Sequence, residues 1–505
     1  MSQIPIVAVI GTGAMGAGIA QVAAAAGHQV LLSDTRAGAA ERAAGSIRAM
    51  FDKLAAKGKM PAAQAAAAGR RLRPLAPGAA GLAALAPAGV VIEAIVESLD
   101  AKRALWAALD RVLDPDCLLA TNTSSLSLAA IAAALAAAER LVGMHFFNPA
   151  PLMELVEIVG SVATDPRQLD RAGALARAWG KLPVRARATP GFIVNRVARP
   201  FYAEGLRLLA EQACAPATLD AILREAAGFR MGPCELTDLI GQDVNFAVTR
   251  SVFEGFFFDP RFRPSLVQQE LVEAGWLGRK SGRGFFSYAE GASRPAPADE
   301  PVGAAPERIA LIGEGILEDA LAQRLEAAAI GVQREPQLPT DVVLQISDGR
   351  TAAEAESAHC RRQPTLLVDL ALDYTTVKRV AVAASPGCSD AACATAVGAL
   401  QAAGFAVSRV RDLPGLVVLR TVAMLINEAA DAVHFGIASA ADVDLAMRKG
   451  VNYPLGPLEW ADRLGPAWVV KALRHIGRHY GEDRYRLSPL LRELGYSAGK
   501  FHPAP

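Results

Sequence analysis

A histidine and a glutamate stand close together in the sequence, in a setting that suits proton transfer. His145 follows an apolar run at 141–144 that is typical of a β-strand, and Glu157 is the nearest downstream acid after Glu154. A neutral imidazole can take a proton from a hydroxyl group near neutral pH, and a carboxylate on its other nitrogen stabilises the imidazolium that forms. We therefore predict that His145 is a general base and that Glu157 orients it.

A glycine-rich turn near the start of the chain predicts a dinucleotide site. The turn lies between a predicted strand and a helix, and Asp34 ends the next predicted strand. In this context the glycines allow a tight turn, a close approach of the pyrophosphate and close helix packing. Asp34 can bond the ribose hydroxyls and repels a 2′-phosphate, so NAD is predicted rather than NADP. The predicted cofactor-binding residues of the turn are Gly11, Thr12, Gly13, Ala14, Met15 and Gly16.

Short apolar runs alternate with Ala-rich helical stretches in the first part of the chain. This alternation predicts βαβ units and a parallel sheet, with ligands at the carboxyl edge. After residue 151 the pattern turns helical, and a long amphipathic stretch is predicted at 192–213. The predicted strands are 6–10, 30–33, 90–96, 118–121 and 141–144.

The second half of the chain contains a repeat. A Pro-rich segment at 291–301 predicts a linker, and 308–315 has the pattern of a strand followed by an incomplete glycine turn. The sequence at 189–196 is echoed at 413–420, and that at 231–238 is echoed at 455–462, each 224 positions later. We interpret this as one helical unit duplicated around a degenerate Rossmann-like insert.

Composition excludes several classes of function. The chain has 505 residues, 52% of them hydrophobic, and a net charge of +1, so a nucleic-acid partner is not expected. We find neither a basic leader nor an apolar run that could span a bilayer, so no membrane partner and a cytoplasmic location are predicted. The six cysteines show no metal-site spacing, so no metal is expected and the thiols are predicted to be reduced.

The chain resembles the 3-hydroxyacyl-CoA dehydrogenase family. The resemblance rests on Thr-Asn-Thr-Ser-Ser-Leu at 121–126, Gly-Met-His-Phe-Phe-Asn-Pro at 143–149 and Leu-Val-Glu at 155–157. It covers about 5–288 and returns at 413–502, while 302–410 matches only loosely. It implies NAD-dependent oxidation of an acyl-CoA 3-hydroxyl group, with His145 as the base and Glu157 as its partner.

Other site residues come from the resemblance alone. It implies that Ser124 and Asn195 position the substrate oxygens, that Asn148, Glu97, Lys102, Lys280 and Ser124 line the cofactor, and that Lys57, with its neighbour Lys59, meets the CoA phosphates. A solvated surface charge is the alternative for each lysine and for Glu97. The second repeat has Leu419 where the first has Asn195, so one active site per chain is predicted.

The resemblance also suggests the domain order. We predict an NAD-binding Rossmann domain at 1–188, a helical substrate and dimerisation-type domain at 189–290, a linker at 291–301, a degenerate Rossmann-like segment at 302–411 and a second helical repeat at 412–505. Because shorter family members resemble dimers joined through the helical domain, the two helical copies are predicted to form a pseudo-dimer within one chain. A homo-oligomer is compatible with this arrangement.

The acyl group is suggested by a motif at 450–457 in the second repeat. Long chains of this kind resemble bacterial enzymes of phenylacetate degradation, which act on 3-hydroxyadipyl-CoA. Its terminal carboxylate needs a cation, and Arg199 lies four positions after Asn195. Pro200 weakens this helical spacing, and a structural ion pair is the alternative role for Arg199.

Other functions remain open at this point. The alternatives are a 3-hydroxybutyryl-CoA dehydrogenase, a dehydrogenase of a small 3-hydroxy acid, and a non-catalytic relative such as a lens crystallin. The intact set of Ser124, His145, Glu157 and Asn195 argues against the last. A fusion with a hydratase is not expected, because the dinucleotide fold begins at Ile6.

Overall fold

The computed structural model describes residues 5–334, 340–359 and 363–502. The chain forms two compact units, Met1–Arg196 with Phe435–Val451, and Val197–His434 with Asn452–Pro505. Cys360 lies outside the described residues, and the other five cysteines are free thiols. Within the described ranges, every helix is too short or too polar to cross a membrane.

The first unit is built on an eight-stranded sheet. Its order is β3-β2-β1-β4-β5-β6-β7-β8, and all neighbours are parallel except β6 and β7. Valine, leucine and isoleucine fill the central strands because helices cover both faces of the sheet. The strands are β1 Val7–Ile10, β2 Val30–Ser33, β3 Leu72–Pro74, β4 Val90–Glu93, β5 Leu118–Thr121, β6 Leu141–Phe146, β7 Leu155–Gly160 and β8 Leu182–Arg187.

Two strands of this sheet correct the sequence interpretation. The chain was expected to turn helical after residue 151, but β7 and β8 extend the sheet there. Every residue of β7 is buried, Glu157 among them, and its leucine, valine and isoleucine side chains suit a strand with both faces covered. The helices of this part are α1 Ala14–Ala25, α2 Ala39–Ala56, α3 Ala62–Arg70, α4 Ala79–Ala83, α5 Leu99–Leu109, α6 Leu128–Ala132, α7 Pro166–Ala178 and α8 Val194–Val197, with a 3₁₀ turn at Ala138–Arg140.

The second unit contains a smaller sheet flanked by two sets of helices. Its order is β10-β9-β11-β12-β13-β14, with only β12 and β13 antiparallel. The predicted strand at 308–312 is present as β9, and the reduced sheet agrees with the expected degenerate Rossmann-like segment. The strands are β9 Arg308–Ile312, β10 Gly331–Arg334, β11 Val343–Ile346, β12 Thr365–Val368, β13 Arg379–Ala384 and β14 Ala406–Arg409.

The remaining helices follow the predicted duplication. The long stretch expected at 192–213 is interrupted at Ala198, so that α8 and α9 are separate helices. The helix α18 belongs to the first unit, where it packs on β7 and β8. The helices are α9 Arg199–Ala210, α10 Pro216–Glu225, α11 Pro233–Ile240, α12 Gln242–Gly255, α13 Leu266–Glu273, α14 Ile316–Ala327, α15 Ala352–Ala358, α16 Asp390–Ala402, α17 Val418–His434, α18 Ala440–Gly450, α19 Pro457–Leu464, α20 Pro466–Tyr480 and α21 Pro489–Ser497, with 3₁₀ turns at Pro260–Phe262, Arg279–Ser281 and Asp483–Tyr485.

Reciprocal ion pairs join the two helical copies inside the second unit. Glu204 on α9 accepts from Arg484 Nε at 3.0 Å, and Glu428 on α17 accepts from Arg261 Nη1 at 3.1 Å. Glu428 lies 224 positions after Glu204, and Arg484 lies 223 after Arg261. Each copy therefore gives the glutamate of one pair and the arginine of the other, which is the pattern of a two-fold interface.

The glycine turn after β9, at 313–315, is blocked by a side chain of the helix that follows it, α14. The carboxylate of Glu318 lies beside Gly313 and Gly315, where a Cβ would meet its oxygens at 3.0 and 3.3 Å. This acid stands in the first turn of α14, where a helix N-terminus favours negative charge. A side chain therefore occupies the place that a dinucleotide phosphate takes in an intact glycine turn.

Candidate active site

The first glycine turn leaves an open cradle at the start of α1. Gly11 has a φ of +91°, and a Cβ there would lie 2.4 Å from the carbonyl oxygen of Ala94. A Cβ at Gly16 would lie 1.7 Å from the carbonyl oxygen of Gly11, whereas a Cβ at Gly13 would meet nothing within 4 Å. The outer two glycines are thus required by packing, and the middle one borders a cavity of about 700 Å³. The cradle fits the pyrophosphate of a dinucleotide.

Asp34 directly follows β2, lines this cavity and is held by two neighbours. Thr12 donates from its backbone N and its Oγ1 to Asp34 Oδ2 at 2.9 and 2.8 Å. The guanidinium of Arg36 donates to both carboxylate oxygens at 3.1 Å. These bonds, led by that of Arg36, hold the pKa of Asp34 well below its usual range, so the carboxylate is charged.

A buried charge network lies at the carboxyl ends of β4 and β5. Lys102 is 1% exposed, and its Nζ lies 2.5 Å from Glu93 Oε1 and 3.3 Å from Glu97 Oε2. Glu93 also accepts from Thr121 Oγ1 at 2.7 Å. Lys102 is therefore the counter-ion of both acids, and its place along the cofactor, implied by the resemblance, stays a prediction. Glu93 is a member of the network that sequence reasoning missed.

Glu97 holds the loop that carries Ser124. Its Oε1 accepts from Thr123 Oγ1 at 2.5 Å, Ser124 N at 3.1 Å and Ser125 Oγ at 2.8 Å. Burial alone would raise the pKa of Glu97, but the hydrogen bond from Thr123 and the charge of Lys102 hold it below its ordinary value. The side chain of Ser124 is thus presented by a loop whose backbone is fixed through Glu97.

His145 and Glu157 face each other across the antiparallel pair β6 and β7. His145 Nδ1 lies 2.6 Å from Glu157 Oε2, and both side chains are buried. The other carboxylate oxygen accepts the backbone N–H groups of Ile193 and Val194 at 3.0 and 2.9 Å. Because this carboxylate can only accept, Nδ1 carries the proton and Nε2 is the nitrogen that can act as a base.

Aromatic rings restrict the His145 imidazole further. The ring of Phe147 lies 4.7 Å from it between centroids, and that of Phe192 lies 5.7 Å away. Asn195 follows Val194 on α8. The segment whose backbone amides bind Glu157 therefore also carries Asn195. His145, Glu157, Ser124 and Asn195 thus all belong to the first unit, and Asn148 lies exposed in the loop after β6.

The surroundings of three further predicted site residues are as follows. Lys57 is exposed at the end of α2. Lys280, in the second unit, forms an ion pair of 2.6 Å with Asp243. Arg199, at the start of α9, is buried and donates to Thr249 Oγ1 at 3.0 Å. Its guanidinium also lies 4.7 Å from the Tyr202 ring centroid.

A second cavity of the first unit was not foreseen. It measures about 780 Å³ and lies between α1, α2 and the loop after β6. Its walls are apolar, with Met50, Phe51 and Leu54 on α2 and Pro151 on the loop, and Lys181 is the charged residue of the lining. The sequence held no signal for this cleft, because its walls come from segments that are distant in the chain.

Comparison with known proteins agrees with this architecture. The family model described as "3-hydroxyacyl-CoA dehydrogenase, NAD binding domain" matches 6–189, and that described as "3-hydroxyacyl-CoA dehydrogenase, C-terminal domain" matches 191–288 and 415–502. A "3-hydroxybutyryl-CoA dehydrogenase reduced Rossmann-fold domain" matches 344–414. The chain-wide order of domains is therefore that of one known family.

Individual relatives cover both the whole chain and its first half. The chain is 46% identical to 3-hydroxyadipyl-CoA dehydrogenase of Escherichia coli strain K12, over 98% of each chain. It is 36% identical to mitochondrial hydroxyacyl-coenzyme A dehydrogenase of Sus scrofa, over 56% of this chain and 90% of that protein. The crystal structure of 3-hydroxybutyryl-CoA dehydrogenase from E. coli K12 superposes with a TM-score of 0.89 at 44% identity, covering 98% of this chain and 99% of that one. The chain belongs to the 3-hydroxyacyl-CoA dehydrogenase family and is an NAD-dependent oxidoreductase of acyl-CoA substrates.

Proposed function

We propose that the enzyme oxidises (3S)-3-hydroxyadipyl-CoA to 3-oxoadipyl-CoA in phenylacetate catabolism. The observation that carries this proposal is the 46% identity to 3-hydroxyadipyl-CoA dehydrogenase of E. coli K12 over 98% of both chains, including the reduced Rossmann-like segment. Relatives that match only the first half of the chain bear other names, so the match over the full length supports the dicarboxylic substrate.

His145 is proposed as the general base. Its Nε2 takes the proton of the 3-hydroxyl group while a hydride leaves C3, so that the carbon becomes a ketone and the imidazole an imidazolium. Glu157 stabilises that cation through the 2.6 Å bond to Nδ1 and cannot rotate away, because Ile193 and Val194 hold its other oxygen. NAD, when bound, supplies the hydride acceptor.

The remaining residues are assigned supporting roles. Ser124 and Asn195 position the substrate oxygens by hydrogen bonding, and the hydrogen bonds that Glu97 accepts from the Ser124 loop keep this group in place. The cradle at Gly11, Gly13 and Asp34 would hold the dinucleotide, and Asn148 and Lys280 are proposed as further cofactor contacts. Lys102 acts through Glu97 rather than by touching the cofactor.

The second cavity is proposed to receive the CoA arm of the substrate. Its mostly apolar walls run from Pro149, next to Asn148, to Leu54 on α2 and Met60 in the turn after α2. Lys57 and Lys59 lie between those two residues in sequence and are exposed, so they could meet the CoA phosphates without a desolvation cost.

Arg199 remains the candidate cation for the carboxylate of the adipyl group. Burial lowers its pKa, and the buried guanidinium has a hydroxyl and an aromatic ring as neighbours, Thr249 and Tyr202. A guanidinium can bind a carboxylate through two parallel hydrogen bonds, which is the reason for this assignment.

The test compares 3-hydroxyadipyl-CoA with 3-hydroxyhexanoyl-CoA, which has the same acyl carbon count but no terminal acid. The wild-type enzyme should show the higher kcat/KM with the dicarboxylic ester. Arg199→Met should lower kcat/KM for that ester by about 30-fold or more and leave the neutral ester nearly unchanged. An equal loss for both esters would make Arg199 structural, and a wild-type preference for the neutral ester would remove the adipyl assignment.

A second candidate substrate is 3-hydroxybutyryl-CoA. The E. coli crystal structure that matches this chain over 98% of its length carries that substrate in its title. A higher kcat/KM for the four-carbon ester than for both six-carbon esters would favour it.

Assembly and location complete the proposal. We infer that the enzyme works in the cytoplasm and that the reciprocal pairs Glu204–Arg484 and Glu428–Arg261 replace a dimer interface within one chain. Any homo-oligomer would then use a different surface.

A further inference from the structure

Lys181 is the charged side chain in the wall of the second cavity, between α7 and β8. It is 7% exposed, and burial lowers its pKa. Its Nζ donates to the carbonyl oxygens of Ala150 and Met153, both at 2.7 Å. Within the described part of the chain, no acid lies at ion-pair distance from this ammonium.

The two carbonyl bonds tie down the loop after β6. This loop passes so close to α1 that a Cβ at Gly18 would lie 3.1 Å from Ala150 Cβ and 3.2 Å from Pro151 Cδ. Lys181 therefore fixes the loop that forms one wall of the cleft and carries Asn148. The carbonyl end of α7, three residues earlier, also favours a cation here.

An ammonium has three hydrogens, and two of them are used by these carbonyls. Leaving the third N–H donor without an acceptor in an apolar cleft costs free energy. A hydrogen bond to a ligand oxygen would remove that cost. The cleft offers mostly apolar walls, with Gln21 and Ser46 as neutral polar side chains and Lys181 as the charged one, which suits a long ligand that is mostly apolar and has widely spaced neutral acceptors.

We propose that Lys181 gives its third hydrogen to an amide oxygen of the pantetheine arm of the bound acyl-CoA. This proposal rests on the proposed function, because it assigns the second cavity to the CoA arm. Amide oxygens fit better than phosphates at this place, since a phosphate would have to be desolvated among apolar walls, and exposed Lys57 and Lys59 are available for it.

The experiment uses three thioesters of the same 3-hydroxyacyl group with the full-length enzyme. The CoA ester has both the amides and the nucleotide, the pantetheine ester has the amides alone, and the S-ethyl ester has neither. Lys181→Met should raise KM for the CoA and pantetheine esters by about 10- to 100-fold, the range of a charge-assisted hydrogen bond, with little change in kcat. For the S-ethyl ester, which has no pantetheine amide, kcat/KM should fall clearly less, because only the anchoring of the loop at Ala150 and Met153 is lost.

Two further variants keep the test decisive. Lys181→Arg preserves the charge and the loop but replaces a compact donor with a planar fork, so it should cause a smaller loss for the amide-bearing esters only. Arg167→Met removes an exposed cation at the other end of α7 and should leave all three esters unchanged.

Other outcomes contradict the proposal. An equal loss with all three esters in both Lys181 variants would make this residue only a support for the loop. A loss with the CoA ester alone would mean that Lys181 meets the nucleotide phosphates. If the wild-type enzyme turned over no CoA ester, the proposed function itself would fail.

Discussion

At the scale of single residues, the chemistry of the site depends on which side-chain atoms already have a hydrogen-bond partner. Glu157 has both oxygens engaged, one with His145 and the other with two backbone amides. This fixes the tautomer of the imidazole and leaves Nε2 as the base. The pair could be predicted from the sequence because both residues lie within recognisable motifs.

Replacing either member of the pair should reduce turnover. His145→Gln and Glu157→Gln should each lower kcat by about 10²- to 10⁴-fold, because a base and the group that orients it act as one unit. In the double variant, the activation free-energy losses of the two single variants should not add. NAD binding, measured by fluorescence titration, should survive in all three proteins, and wild-type turnover in His145→Gln would refute the assignment of the base.

The choice of cofactor depends on a neighbour that sequence reasoning overlooked. Arg36 is largely exposed and lies against Asp34 with two hydrogen bonds. An arginine in this position can accommodate a 2′-phosphate when no carboxylate competes for it. We therefore expect Asp34 to disfavour NADP in two ways, by its own charge and by engaging the guanidinium.

Removing the carboxylate should release Arg36. Asp34→Ser should shift the ratio of kcat/KM for NADP over NAD by about 100-fold toward NADP, since a bidentate guanidinium–phosphate contact becomes available. The double variant with Arg36→Ala should lose most of that gain. If single and double variants behaved alike, Arg36 would have no part in cofactor choice.

At the scale of elements, the sheet and its loops decide which residues meet. The predicted strands at 30–33 and 118–121 match the structure, because short apolar runs bounded by turns have few alternatives. The strands β7 and β8 were missed, since a strand followed by a polar helix resembles a longer helical pattern. The roles of Glu93, Arg36 and Lys181 were also beyond prediction, because their partners are set by the fold and not by spacing.

The loop at 123–125 should depend on its anchor. Glu97→Ala removes the acceptor of four hydrogen bonds from Thr123, Ser124 and Ser125, so Ser124 would no longer be held in one position. We expect kcat/KM for the acyl-CoA substrate to fall about 10- to 100-fold. Asp165→Ala, which removes the cap of α7 on the surface, serves as the control and should change kcat/KM less than about twofold.

The two copies of the helical unit differ at an equivalent place. In the first copy the amides of Ile193 and Val194 are bound by Glu157, and in the second those of Val417 and Val418 are bound by Asp369. The carboxylate that caps the segment is thus present in both, but Leu419 replaces the amide side chain of the first copy. This supports the prediction of one active site per chain.

At the scale of the whole molecule, the second half of the chain supplies the partners of buried groups in the first half. Glu204 on α9 is fully buried, and its partners Arg420 and Arg484 both belong to the second copy. In the first unit, α18 packs on β7, which carries Glu157. The segment at 291–301 contains neither helix nor strand and lies within the second unit, and its role as a linker stays a prediction.

Cutting the chain in this linker should therefore destabilise the first half. A fragment ending at residue 296 would leave the Glu204 carboxylate without its arginines and uncover apolar surface of α9, and breaking a buried pair in this way costs about 3–5 kcal/mol. We expect the fragment to unfold at lower temperature than the full chain or to self-associate, as judged by light scattering. A stable, monomeric and active fragment would contradict the pseudo-dimer.

The central claim is that this enzyme oxidises the 3-hydroxyl group of a CoA thioester. The most direct measurement is NADH formation by the full chain from 3-hydroxyadipyl-CoA and from free 3-hydroxyadipate, with the product identified by mass spectrometry. We predict that one NADH and one 3-oxoadipyl-CoA form per thioester consumed, and that the free acid is turned over at least about 100-fold less efficiently, because it lacks the binding energy of the CoA arm. Equal turnover of the free acid, or no NADH from any 3-hydroxyacyl-CoA, would contradict the claim.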